Sequence, residues 1–75
     1  MNSYTANFST GTVIRNFKRA DYTYAWIVMG EQGGQAVKFG GGFTTNKKDA
    51  EKRAQAQINF WGCGEAEVVA VEVAS

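Results

Sequence analysis

Tyr22-Thr23-Tyr24-Ala25-Trp26-Ile27-Val28-Met29-Gly30 concentrates aromatic and β-branched side chains in a single run that a glycine closes. Such residues fit a pleated, half-buried surface, so the run predicts a strand over 22–29. Alternation puts Tyr22, Tyr24, Trp26 and Val28 on one face and Thr23, Ala25, Ile27 and Met29 on the other. Glu31-Gln32-Gly33-Gly34 has turn composition, and Gln35 to Phe39 returns as the second arm of a hairpin, with Val37 and Phe39 sharing a face. Gly40-Gly41-Gly42 reads as a flexible exit from that hairpin.

Working upstream, Tyr4, Ala6 and Phe8 alternate with polar residues, Ser9-Thr10-Gly11 is a turn, and Thr12 to Phe17 returns as a second strand. Lys18-Arg19-Ala20-Asp21 is a polar loop. Downstream, Thr45 or Asn46 can cap a helix, Asn46 with Asp49 three residues later approximates a capping box, and Ala50, Ala54, Ile58 and Trp61 fall on one helical stripe. Gly62 stands where a left-handed C-cap is wanted. Glu65 to Ala74 closes the chain as a terminal strand, with Val69, Val71 and Val73 on one face. The order of strands, hairpin, helix and final strand predicts an α+β domain. We expect an antiparallel sheet of four or five strands with one helix packed on one face. One helix covers one face only, so the other is left for solvent, a partner or a homodimer through the open sheet. Thr23, Ala25, Ile27 and Met29 would make that face too apolar to be left wholly to water.

The 75 residues allow one domain, 1–75. A chain of this size buries only about 60% of the surface that its unfolded form exposes. Ten aromatics (five Phe, three Tyr, two Trp) supply the bulk of its core. The single cysteine, Cys63, excludes an intrachain disulfide and a zinc site of several thiolates, which suits a reducing compartment. Met1-Asn2-Ser3-Tyr4-Thr5 lacks the pattern of a signal peptide, and Ala25 to Met29 is too short to span a bilayer. The expected location is cytoplasmic, with no membrane partner. Net charge is +1 but uneven: residues 1–60 carry eight basic and four acidic side chains, whereas 61–75 carry three acids and no base.

The chain contains no histidine, the commonest general base and metal ligand. Cys63, flanked by glycines past a helix C-terminus, sits at the negative end of a helix dipole, which disfavours a thiolate. The carboxylates show no catalytic spacing, and the glycine triplet does not fit the phosphate-loop or dinucleotide patterns. We therefore expect no catalytic residues, cofactor or metal site, and a protein that is not an enzyme.

Two features can carry binding. Lys48, Lys52, Gln55 and Asn59 form a polar helix stripe flanked by Lys47 and Arg53, a spacing able to follow a phosphate backbone or to lie simply in solvent. The aromatic ladder Tyr22, Tyr24 and Trp26 would stack on bases or anchor an interface if exposed. On the inner face it would be core beneath an alanine-bearing helix, and alanines opposite large rings favour that reading.

Trp26-Ile27-Val28, the strand through Phe39-Gly40, and Phe43-Thr44-Thr45 before Ala50 and Ala54 resemble an AP2-type or integrase N-terminal DNA-binding domain, which implies a sheet entering the major groove. Asn46-Lys47-Lys48-Asp49-Ala50 with Ala54 and Ala56 resembles the helix start of double-stranded RNA-binding domains. In size and style the chain also resembles small accessory proteins of phages and mobile elements, among them anti-CRISPR proteins. That resemblance implies steric blocking of a host protein or nucleoprotein complex by an inhibitor or adaptor, which is the leading expectation here. The alternative is direct DNA or RNA binding through Arg15, Lys18, Arg19, Lys47, Lys48, Lys52 and Arg53.

Overall fold

The computed structural model describes residues 1–74. Six strands and one helix follow in the order β1 (Asn2–Phe8), β2 (Gly11–Phe17), β3 (Tyr24–Gln32), β4 (Gln35–Thr44), α1 (Lys47–Trp61), β5 (Glu65–Ala70) and β6 (Glu72–Ala74). The class is α+β and every strand pairing is antiparallel. The strands form two three-stranded sheets, β2-β1-β6 and β4-β3-β5, in place of the single sheet of four or five strands that the pattern predicted. Period-two alternation tells which face a side chain takes, but it does not tell which sheet a strand joins.

The two sheets and α1 make three layers. Between the sheets, Ala6 and Phe8 of β1 meet Ala25 and Ile27 of β3, with Val13, Met29, Phe43, Val69 and Val71 packed around them. On the other side of β3, Val28 and Phe39 meet Ala54 of the helix, with Trp26, Val37 and Ile58 at the margin. The face expected to lie open is therefore covered by the chain's own first hairpin. Ala25 and Ile27 are buried beneath it.

The terminal strand divides where it passes from one sheet to the other. Residues 65–70 pair with β3 and residues 72–74 with β1. Val71, between them, donates its N–H to Thr23 O at 3.0 Å, which keeps that donor satisfied during the crossing. Glu67 fastens the two sheets together, since the Ser9 N–H and Oγ donate to its carboxylate at 2.9 and 2.6 Å. Charge-assisted bonds of this kind hold the turn of the first hairpin against β5.

Gly40, Gly41 and Gly42 also depart from expectation, because they lie inside β4 opposite Val28, Ile27 and Trp26. A Cβ on Gly42 would stand 3.0 Å from the Trp26 indole nitrogen, and one on Gly40 would stand 3.0 Å from the Gln57 side chain. Glycine is used here for closeness of approach, so that the indole and the helix can settle on a bare strand. Gln57 then donates to Phe39 O at 3.0 Å and ties α1 to β4. β3 likewise runs past Gly30, through a register shift at Val28/Met29, as far as Gln32.

The helix follows its sequence signals closely. The Asn46 side chain accepts from the Asp49 N–H at 2.8 Å, and Gly62 adopts φ 80° while donating to Ile58 O at 2.8 Å. Ala50 and Ala54 are buried against the sheet, where their small size lets the axis come close.

Gly30 lies directly under Phe39, and a Cβ there would fall 1.9 Å from the ring. Gly30→Ala is expected to lower stability by about 1–3 kcal/mol, as overpacking does, read from the midpoint of urea unfolding.

Candidate functional site

The basic residues singled out in the sequence do not form one continuous stripe. Lys47, Lys48, Lys52 and Arg53 are exposed on α1, which forms one outer layer. Arg15 lies on β2, in the sheet farthest from the helix, and Lys18 and Arg19 lie in the loop that follows. The structure brings Arg19 and Arg53 together at a polar depression of about 270 Å³ that also includes Tyr22, Thr45 and Asp49. The helix group and the hairpin group therefore meet only at this end of the molecule.

Arg19 is already engaged there. Its Nε and Nη2 donate to the two carboxylate oxygens of Asp21 at 2.8 and 2.7 Å, a bidentate pair. Its guanidinium also lies 4.7 Å from the centre of the Tyr22 ring. The hydrogen bonds from Arg19, with its charge, hold the Asp21 carboxyl below the ordinary aspartate range, and the same hydrogen bonds with the Asp21 charge push the guanidinium higher still. Both side chains are more than half exposed, so solvent screens the pair and its effect is local order in the loop.

The three ring residues of the predicted ladder separate. β3 begins at Tyr24, and Tyr22 turns toward the other sheet, joining Tyr4, Phe17 and Phe43 in a cluster of four rings 5.0–6.2 Å apart. Tyr4 is fully buried at its centre and donates its hydroxyl to Arg19 O at 2.7 Å. Tyr24 and Trp26 stay on the helix side of β3, half-buried, with Trp26 packed against the Val28–Phe39–Ala54 core. Trp26 thus packs on the helix side, as the inner-face reading has it, whereas Tyr22 packs with the first hairpin.

The exposed aromatic surface lies instead at the C-terminal end of α1. Phe60 is 80% exposed and Trp61 is 41% exposed. Trp61 stacks on the buried Phe39 with centroids 4.3 Å apart and planes 9° off parallel, and Phe60 meets it edge-on at 5.9 Å. Phe60 is therefore held out by a helix and by a ring that is itself anchored in the core. Its signal was present in the sequence: Phe60 falls on the flank shared with Arg53 and Ala56, off the Ala50–Ala54–Ile58–Trp61 stripe. A large apolar side chain there has no core to enter. Cys63 is exposed nearby, in the loop after the helix.

Among the described residues no group of His, Cys, Asp and Glu is placed to hold a metal ion, and no helix is long and apolar enough to cross a membrane. No family model, curated protein or solved structure matches this chain. A functional reading therefore rests on the geometry.

The Arg19–Asp21 pair is testable directly. An NMR pH titration is expected to place the Asp21 midpoint below that of an ordinary aspartate, and Arg19→Gln should return it to the usual range. Because the folded value is depressed, the pair's contribution is present above the ordinary aspartate range. It is lost as pH falls through the depressed value.

Proposed function

We propose that this chain is a non-catalytic binding protein of inhibitor or adaptor type, which blocks a surface of a protein or nucleoprotein complex by occupying it. The observation that carries this reading is Phe60, almost wholly exposed and propped on the Trp61–Phe39 stack. Burying a phenylalanine side chain in a partner's pocket is worth about 1.5–3 kcal/mol. A surface ion pair is worth about 0–1 kcal/mol, so the aromatic pair dominates affinity and the lysines do not. A helix-borne ring already braced edge-on against Trp61 also loses little freedom on docking. Lys48 and Lys52, exposed on the same helix, supply orientation and association rate. The anchors are thus Phe60 and Trp61 in place of the sheet-face rings.

Direct nucleic-acid binding is the second reading, and the exposed Lys47, Lys48, Lys52 and Arg53 favour it. Against it stand Asp49 and Glu51 on the same helix and the packing of Tyr22, Tyr24 and Trp26 into the fold.

The two readings separate by substitution. Phe60→Ala should leave the fold intact and weaken binding to the captured partner by about tenfold or more. Lys48→Glu with Lys52→Glu should change mainly the association rate and its salt dependence. In mobility-shift titrations at about 50 and 200 mM salt, the wild-type protein should not retard single- or double-stranded DNA or RNA. Retardation that collapses with salt, is lost in the lysine variant and survives Phe60→Ala would assign the protein to nucleic acid instead.

A further inference from the structure

The backbones of the two sheets approach along β1, β3 and β5 and part toward the outer strands β2 and β4. The wedge between those strands holds a cleft of about 400 Å³. Sites for small molecules run from about 300 to 1,000 Å³. Phe8 and Val13 wall it on one side, and Ile27 and Phe43 on the other. Two charged residues line it, Arg15 and Lys38, and no carboxylate does.

Both cations stand on inward faces. Arg15 lies opposite Tyr4 and Lys38 opposite Met29 in the strand registers, so each shares its face with core residues. Lys38 folds across the bare backbone of Gly41, its Cε and Nζ 3.0 and 3.4 Å from where a Cβ would be. Arg15 donates to Ile14 O at 2.8 Å. Among the described residues neither makes an ion pair.

We infer that this cleft binds a small amphipathic anion, a carboxylate on an aliphatic or aromatic body. The body displaces water from Phe8, Val13, Ile27 and Phe43, and the carboxylate lies at the mouth between Arg15 and Lys38, where charge-assisted hydrogen bonds fix its direction. Inward charges on edge strands also guard against strand pairing between molecules, a role that needs no ligand.

Heteronuclear NMR titration of the wild-type protein with octanoate, octanol and octylamine distinguishes the two. Octanoate should shift the amides of Val13, Ile27 and Gly41 saturably, with Kd below about 1 mM. Octanol should bind about tenfold more weakly and octylamine should not bind. Arg15→Gln with Lys38→Gln should remove the preference for octanoate over octanol, while Phe60→Ala keeps it. The inference is overturned by no saturable shift below about 10 mM octanoate, or by equal responses to octanoate and octylamine. It is equally overturned if the glutamine variant differs only in self-association by light scattering. The wild-type comparison decides the matter even if that variant does not fold.

Discussion

β3 has to serve two cores at once, and the other layers are arranged around that demand. Ala25 and Ile27 point to the first sheet, and Trp26 and Val28 point to the helix. A chain this small has too little apolar surface to build two independent layers. A central strand apolar on both faces lets one run of residues fill both interfaces. The cost appears in its neighbours, which must be small or bare where β3 is large. Gly42 lies beneath Trp26, Gly30 and Gly64 leave room for Phe39 and Val28, and Ala50 and Ala54 bring the helix in close.

Much of this was legible. The helix could be read almost to the residue, because the Asn46 cap, the alanine stripe and Gly62 are local signals whose physics does not depend on the rest of the fold. The first two strands and the core role of Trp26 were legible for a similar reason. What escaped was relational. Gly40-Gly41-Gly42 looks like loop chemistry until the indole and Gln57 that need the space are known. Val69, Val71 and Val73 alternate without interruption, so nothing local marks Val71 as the point where the strand changes sheets. Tyr22 belonged to the ladder by spacing, and the rings of Tyr4, Phe17 and Phe43 drew it away.

The same division runs through the surface. The exposed helix lysines follow from the helix alone, and Phe60 was discernible as an apolar residue off the stripe. That Arg15 and Lys38 line one cleft is a product of tertiary structure, since they come from strands of different sheets. The aromatic knob at the end of the helix and the cleft between the sheets also lie in different layers, so a change at one need not disturb the other.

β1 pairs with β2 immediately after it and with β6 at the far end of the described chain, Ser3 lying opposite Ala74. The two halves of that sheet therefore form on different schedules. The hairpin can close early, as a local event, but a lone two-stranded hairpin is marginal in water. Its third strand arrives only after the second sheet and helix have brought the chain back, and loop-closure entropy makes such distant pairings slow. Until then β1 has one edge unpaired. The rate at which this protein becomes native is thus set less by its well-signalled helix than by the return of three residues to a strand nearly the whole described chain away.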